Sequence, residues 1–228
     1  MKLVRFFCSA LCGSVFLLLA ITAGPAQGQT KVPAPASATS ATPANGNDAA
    51  YRGGSVSPLL PKPKFTLTDT SGGAYDFSSK TQGYVTLLFF GYTHCPDMCP
   101  LQMSMIAAAF KKLPPATEDQ FKVIFVTTDP DRDTPQILRQ WLDHFDKRFI
   151  GLTGSQAAVD AAQVAANLSP AKKSTVRPDG AYEVGHAAFV LAYTKDNFAH
   201  LIYPVGMSLD DWVHDLPALP KETWKRNP

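Results

Sequence analysis

Val85-Thr-Leu-Leu-Phe-Phe90 runs directly into Gly91-Tyr-Thr-His-Cys-Pro-Asp-Met-Cys-Pro100, and these two stretches decide the fold. The first is a continuous apolar run, which is typical of a central strand that is buried on both faces. A helix is predicted to begin near Pro100 and to end before Pro114-Pro115, because proline interrupts a helix interior. Its apolar positions recur with a period near 3.6 residues, at Ile106, Ala109, Phe110 and Leu113. Two cysteines therefore stand where a buried strand passes into a helix.

The chemistry of this junction comes from its two thiols, Cys95 and Cys99. A spacing of four residues places both on one face of a helix. The unpaired N–H groups and the positive dipole end at a helix N-terminus stabilise a thiolate. A low thiol pKa serves nucleophilic redox chemistry and metal binding alike. The pair therefore predicts a redox or metal site of the thioredoxin-like kind, with a plain disulfide or two buried apolar side chains as the structural alternative.

The cysteine spacing and the position of one histidine favour copper. Three residues separate the cysteines, whereas the common thioredoxin loop has two, and two thiolates alone make a poor zinc site, which needs four ligands. Copper(I) accepts two or three soft ligands, and thiolates select it. His186 is the predicted third ligand, because it ends a long polar connection directly before a predicted strand over 187–193. In a thioredoxin-like sheet this position lies beside the cysteine loop, where redox enzymes place a cis-proline. The prediction is a site of Cys95, Cys99 and His186 for Cu(I) or Cu(II).

The other histidines and three methionines are weaker candidates. Four histidines are not predicted to be ligands: His94, His144, His200 and His214. His94 is expected to lie next to the site without facing it, because neighbouring side chains usually point apart. Met103 and Met105 are expected to fill the core. Met98 stays open as a weak ligand candidate within the loop, because thioethers bind copper(I).

A second notable string is Asp129-Pro-Asp-Arg-Asp-Thr-Pro135, directly after a predicted buried strand. A calcium loop is excluded, because the required glycine and glutamate are missing from its sixth and twelfth places. A phosphatase of the haloacid-dehalogenase type also begins with Asp-x-Asp after a strand, but Asp133 stands where threonine or valine is expected. The favoured interpretation is structural: Asp129 and Arg132 hold the loop, and Thr134 caps the next helix.

The remaining patterns predict an α/β fold with a mixed sheet flanked by helices. The further predicted elements are an N-terminal hairpin over 65–77, a strand over 121–127, a helix from 135, a short strand over 149–152, a helix over 156–167, a hairpin over 187–203 and a helix from 208 that ends before 217. Strands that alternate with helices in this way favour helices on both faces of one sheet. The folded domain is predicted over 64–219, with a tail over 220–228.

Composition and charge exclude several functional classes. The 228 residues are 45% hydrophobic and 18% charged, which fits neither a wholly disordered chain nor a membrane protein with several spans. The net charge is +2 and no basic run occurs. A general nucleic-acid binder is therefore not expected, because phosphate affinity needs clustered basic residues.

The N-terminal 63 residues are predicted to serve export and tethering. Lys2 and Arg5 precede an apolar stretch over 6–23, which predicts a signal peptide or a membrane anchor over 1–26, and both alternatives stay open. The segment 27–63 is rich in Ala, Pro, Ser and Thr and is predicted to be a flexible tether. The domain is therefore expected on the far side of a membrane.

Three strings of this sequence resemble the SCO/SenC family: Phe89–Pro100, Asp129–Pro135 and Phe149–Gly154. The late His186 before a hairpin strengthens the resemblance, which spans the whole predicted domain. It implies a thioredoxin fold and copper bound by Cys95, Cys99 and His186. It also implies a place outside the bacterial inner membrane, in the periplasm, or in the mitochondrial intermembrane space.

The function that the resemblance implies is assembly of the dinuclear copper centre of cytochrome c oxidase, as copper donor or as thiol reductant. The expected partners are the oxidase subunit that carries this centre and another copper chaperone. One departure is Gly185, since the family usually has an aspartate directly before the ligand histidine. The alternative function is a metal-independent thiol–disulfide oxidoreductase, against which His186 in the cis-proline place argues.

Overall fold

A mixed sheet of eight strands forms the centre of the computed structural model, which describes residues 51–224. The ten described strands are β1 (Gly54–Pro61), β2 (Thr66–Asp69), β3 (Ala74–Asp76), β4 (Val85–Gly91), β5 (Phe121–Thr127), β6 (Ile150–Thr153), β7 (Lys172–Lys173), β8 (Val184–Gly185), β9 (Phe189–Tyr193) and β10 (Phe198–Pro204). The helices are α1 (Phe77–Lys80), α2 (Met98–Phe110), α3 (Pro115–Glu118), α4 (Pro135–Asp143), α5 (Gln156–Ala165) and α6 (Leu209–Asp215). The order in the sheet is β1-β10-β9-β4-β5-β6-β2-β3, and β7 pairs only with β8.

Helices cover both faces of this sheet, as the sequence predicts. β4 is buried along its whole length and lies parallel to β5, which is parallel to β6. Leu87 and Phe89 face a core shared with α2, α4 and α6, whereas Leu88 and Phe90 face a second core shared with α5. The apolar run of β4 is continuous because its alternate side chains serve two different cores.

Local sequence signals place most helix boundaries. Thr134 caps α4 and Ser155 caps α5 through their hydroxyl groups, and Ser208 with Asp211 forms the predicted capping box of α6. α2 begins at Met98, two residues before the predicted start, so that Cys99 lies in its first turn. The two four-residue helices α1 and α3 were not predicted, because so short a segment shows no apolar period.

The folded domain begins earlier than the predicted boundary at residue 64. β1, within the predicted tether over 27–63, pairs antiparallel with β10 at the edge of the sheet. The Asp215 carboxylate accepts the backbone N–H groups of Arg52 at 3.0 Å and Gly53 at 2.9 Å. Most of β1 is exposed or half-exposed, so its residues show no apolar alternation. Its small and proline residues therefore resemble a linker in sequence, although an edge strand tolerates them.

The predicted tail over 220–228 is also part of the fold at its start. Trp224 stacks on Tyr51, with 5.4 Å between ring centroids, and on His200 at 4.2 Å. The predicted signal or anchor over 1–26, the tether up to residue 50 and the last four residues lie outside the described residues. Among the described helices, none combines the length and the apolar character needed to cross a membrane.

Candidate metal centre

Three side chains converge beyond the end of β4, where the loop over 92–97 leads into α2. The Sγ atoms of Cys95 and Cys99 and a ring nitrogen of His186 all lie within 4.8 Å of one another. His186 Nε2 is 3.4 Å from Cys99 Sγ. Both cysteines are buried free thiols, and His186 is half-buried. Within residues 51–224 no other group of three or more His, Cys, Asp or Glu side chains is gathered in this way.

The start of α2 makes the two thiols unlike each other. The backbone N–H of Cys99 donates to Cys95 Sγ at 3.4 Å. The hydrogen bond from the Cys99 thiol, helped by the N–H groups of Cys99 and Asp97, lowers the pKa of Cys95 to about 5, although burial acts in the opposite direction. The same thiol pairing and the deeper burial of Cys99 raise its pKa above the usual value. Before any metal binds, the pair therefore holds one thiolate and one thiol.

A glycine at the end of β4 makes room for Cys99. A Cβ atom on Gly91 would lie 2.9 Å from Cys99 Sγ and 3.0 Å from the Phe125 ring. The contact with the sulfur is shorter than real Cβ contacts and the contact with the ring is tighter than most, so a larger residue would displace the sulfur and press on the ring. Gly91 thus lets the first turn of α2 pack directly against the sheet.

Packing and one hydrogen bond orient His186. Its ring meets Phe89 and Tyr92 edge to face, at centroid distances of 5.9 and 5.8 Å. Nδ1 lies 3.0 Å from the carbonyl oxygen of Ala187. Because a carbonyl only accepts, this contact assigns the proton to Nδ1 and leaves the lone pair of Nε2 facing the sulfurs. Two sulfurs and one imidazole nitrogen form a donor set that suits copper.

A model of the family described as SCO1/SenC matches residues 57–219. The chain belongs to this family. A relative named "Putative copper-binding protein", from Stutzerimonas stutzeri, is 37% identical in an alignment of 168 residues, and the match covers 71% of this chain and 79% of the relative. "Protein SCO2, mitochondrial" from Saccharomyces cerevisiae is 29% identical, and the match covers 64% of this chain and 48% of that protein.

Solved structures of the SCO1/SenC family share the fold. Apo Sco1 from Thermus thermophilus is 34% identical with a TM-score of 0.66, and the match covers 74% of this chain and 96% of that one. ScoI from Bradyrhizobium japonicum with copper bound is 31% identical with a TM-score of 0.62, and the match covers 70% and 99%. The predicted thioredoxin-like fold with a mixed sheet is thereby confirmed.

Asp133 is a residue of this SCO1/SenC site that sequence reasoning missed. Its buried carboxylate accepts the backbone N–H of Thr93 at 2.9 Å and the hydroxyl groups of Thr93 and Thr127, both at 2.6 Å. It therefore ties the cysteine loop to the end of β5. Its position shortly after a buried strand could have indicated this role. In the sequence, Asp133 stood out only because it did not match the phosphatase pattern.

The rest of the aspartate string has the predicted structural role. The Asp129 carboxylate accepts from Arg132, from the Tyr182 hydroxyl at 2.9 Å and from Lys173, 3.2 Å away. Asp131 is 73% exposed and pairs with Lys173 at 2.6 Å. Cationic side chains and a tyrosine thus bind the carboxylates of the Asp-x-Asp pair, which supports a structural role for this string rather than a phosphatase site.

The remaining histidines and methionines lie outside the three-ligand group. His94 turns towards Thr93 and the Asp133 carboxylate, 3.1 and 3.5 Å away. His144 contacts the carbonyl oxygen of Trp141, His200 contacts Asp196, and His214 contacts Asp215. Met103 is fully buried and Met105 packs against the same core, as predicted, whereas Met98 is 42% exposed.

Proposed function

We propose that this chain binds copper through Cys95, Cys99 and His186 and acts in assembly of the copper centre of cytochrome c oxidase. The observation that carries the proposal is the convergence of two sulfurs and an imidazole nitrogen within 4.8 Å. Thiolates select copper(I), and an added nitrogen donor accommodates copper(II). A copper-binding relative and a copper-bound family structure support the choice of metal, and the family resemblance supports the oxidase role.

The three side chains of the site contribute to copper binding in different ways. Cys95 is already a thiolate, whereas Cys99 must lose its proton when metal binds. Nε2 of His186 faces the sulfurs because Nδ1 is held by the Ala187 carbonyl. Copper held there is cargo, and three ligands leave it accessible to donor groups of a partner protein.

The unequal thiols favour a second candidate function, a thiol–disulfide oxidoreductase that works without metal. The Cys95 thiolate would attack a partner disulfide, form a mixed disulfide and release one partner thiolate. Cys99, after losing its proton, would attack Cys95 Sγ, close the Cys95–Cys99 disulfide and release the second partner thiolate. Two electrons pass to the partner, and the chain is left unable to hold copper(I), which needs both thiols reduced.

The proposed place of action is the periplasmic side of the bacterial inner membrane. Lys2, Arg5 and the apolar stretch over 6–23 support export, by a cleaved signal or a retained anchor. The proposed partners are the oxidase subunit that carries the copper centre and a further copper chaperone.

Anaerobic copper(I) loading with metal analysis tests the proposal. We expect one copper per chain in the reduced protein and no tight binding in Cys95→Ser or Cys99→Ser, because a hydroxyl is a poor ligand for a soft ion. His94→Ala is the matched control, since this ring adjoins Cys95 but faces Asp133, and it should load like the wild type. Stoichiometric copper in the double serine variant would overturn the metal assignment. Disulfide reduction by a protein that takes up no copper would favour the second candidate.

A further inference from the structure

The segment that leads into His186 has little regular structure of its own. We call residues 172–185 the 172–185 hairpin. Its ladder consists of two residue pairs, Lys172 with Gly185 and Lys173 with Val184. Further hydrogen bonds also join one arm only to the other: Ser174 N–H to the Glu183 carbonyl at 2.8 Å, Glu183 N–H to Ser174 Oγ at 3.0 Å and Arg177 N–H to the Ala181 carbonyl at 2.8 Å. A ladder this short does not by itself hold a strand end in place.

A single buried carboxylate joins both arms of the 172–185 hairpin to the sheet. Asp129 follows β5 by two residues, and its side chain has no exposed surface. From one arm Lys173 Nζ approaches it at 3.2 Å, and from the other the Tyr182 hydroxyl donates to it at 2.9 Å. Buried charged hydrogen bonds of this kind are among the stronger ones in proteins. Asp129 therefore fixes the hairpin against the core.

Arg132 extends this attachment towards the metal centre. It binds Asp129, and its Nη1 and Nη2 atoms each lie 3.4 Å from the carbonyl oxygen of Tyr182. The guanidinium also lies over the Tyr182 ring, 3.7 Å from its centroid, and 5.8 Å from the centroid of Tyr92. Tyr92 in turn packs edge to face against the His186 ring. Contacts thus reach His186 both along the chain and through Tyr92.

We infer that Asp129 and Arg132 are positioning residues for His186, an inference that rests on the proposed copper site. Among the described residues no carboxylate hydrogen-bonds the His186 ring, whose Nδ1 is held by a backbone carbonyl. Ligand histidines usually depend on such outer contacts for their orientation. Here the Asp129–Arg132 pair supplies that support through the 172–185 hairpin and Tyr92. Without it, His186 keeps its contacts with Phe89 and Ala187, but more of its ordering must occur when metal binds, at a cost in conformational entropy.

This cost depends on the oxidation state of copper. Copper(I) is satisfied by the two thiolates, which lie in the 92–97 loop and the first turn of α2 and therefore outside the hairpin. Copper(II) prefers a nitrogen donor and more ligands. A loosened hairpin should therefore weaken copper(II) binding selectively, whereas a general loss of structure would weaken both ions.

The test compares three full-length variants with the wild type. Arg132→Ala removes the guanidinium that joins Asp129 to the ring and carbonyl of Tyr182, and Tyr182→Phe removes one hydrogen bond to Asp129 while it keeps the ring. Asp131→Ala is the matched control, because this carboxylate also binds Lys173 but is 73% exposed, and a surface ion pair contributes little. We expect Arg132→Ala to lower copper(II) affinity about 10- to 100-fold and Tyr182→Phe to lower it less, with copper(I) affinity nearly unchanged. The thiolate-to-copper(II) absorption should weaken in the same order, and amide exchange over 182–186 should quicken in the metal-free variants.

Two results would overturn the inference. One is wild-type copper(II) affinity and absorption in both folded variants. The other is an equal loss of copper(I) and copper(II), which would mark a general structural role. If Arg132→Ala does not fold, Tyr182→Phe decides alone. His186→Ala separates this inference from the proposed site. If copper(II) affinity falls in His186→Ala but not in Arg132→Ala or Tyr182→Phe, only the positioning role is refuted. If copper(II) affinity does not fall in His186→Ala, His186 is refuted as a ligand.

Discussion

At the scale of single residues, the three proposed ligands differ in how the fold presents them. Cys95 lies in the loop before α2 and Cys99, four positions later, lies in the first turn of that helix, whereas His186 follows a different strand, 87 residues after Cys99. Removing a thiol therefore changes the cysteine loop or the first turn of α2, whereas removing the imidazole leaves both in place. Substitution of His186 should therefore affect copper(II) binding more than copper(I) binding.

His186→Ala should still take up copper(I) but bind copper(II) at least about tenfold more weakly, because copper(II) depends on the nitrogen donor. Its thiolate-to-copper(II) absorption should be bleached, and oxidase activity in the host should fall although the protein stays folded. Competition titrations with each ion and visible spectra measure the effect, with His94→Ala as control. Unchanged copper(II) affinity and oxidase activity would remove His186 from the site and favour the thiol reductase.

At the scale of elements, buried polar contacts hold the loops of the site to the strands. Asp133 joins the cysteine loop to β5, and Asp129 joins the 172–185 hairpin to the same strand end. Both carboxylates are buried, so each lost partner would leave part of a buried charge without a hydrogen bond. The site therefore depends on contacts made at the carboxyl end of β5.

Asp133→Asn should destabilise the fold by about 2–4 kcal/mol, because an amide replaces a charged acceptor of three hydrogen bonds and brings donors of its own. Urea unfolding of the reduced, metal-free protein measures the change in the free energy of unfolding. Asp131→Asn removes an exposed carboxylate from the same string and should cost less than about 1 kcal/mol. Equal effects of the two substitutions would contradict the role assigned to Asp133.

The residue after β1 is a buried lysine, and its protonation makes the stability of the fold depend on pH. Lys62 is 8% exposed, and its Nζ donates to the carbonyl of Thr81 at 3.0 Å and approaches the Thr86 hydroxyl at 3.4 Å. Burial lowers the pKa of Lys62 to about 8, and the Asp196 carboxylate offsets this only in part. Between pH 8 and the ordinary value of 10.5, the unfolded chain keeps a proton that the folded protein has released. The contribution of Lys62 to the free energy of unfolding therefore rises with pH across this window.

Lys62→Met should abolish that rise. We expect the free energy of unfolding of the wild type, relative to Lys62→Met, to increase between pH 8 and pH 10 by up to about 1.4 kcal/mol per pH unit. Urea unfolding at several pH values measures the difference. Parallel pH profiles for the two proteins would show that Lys62 keeps an ordinary pKa in the fold.

At the scale of the whole molecule, the two ends of the described chain close one side of the fold. β1 pairs with β10, Asp215 binds the backbone at Arg52 and Gly53, and Trp224 stacks on Tyr51. An unpaired β10 would present an open edge to other chains. Residues 51–61 are thus part of the fold and not only a spacer.

A chain that begins at residue 64 should be less stable and more prone to aggregate than one that begins at residue 51. The loss of N–H donors at the buried Asp215 alone should cost about 1–3 kcal/mol. Urea unfolding and size-exclusion chromatography of the two chains test this expectation. Equal stability and equal monomer content would restore the tether boundary at residue 63.

The sequence by itself determined the elements that depend on a few neighbouring residues. The apolar run of β4, the caps of α4, α5 and α6 and the placement of two cysteines at a helix start are encoded within single turns or strands. Local propensity and capping act over this range, so the patterns could be read directly. The three family strings added the likeness to copper-binding proteins.

Only the tertiary structure decided which distant polar groups meet. Thr93 and Asp133 are 40 residues apart, Asp129 and Tyr182 are 53 apart, and Arg52 and Asp215 are 163 apart. These contacts depend on how strands and loops pack, and a buried aspartate has the same letter in the sequence as an exposed one. β1 was missed for a related reason, because the backbone of β10 holds it in the sheet and its own side chains stay largely exposed.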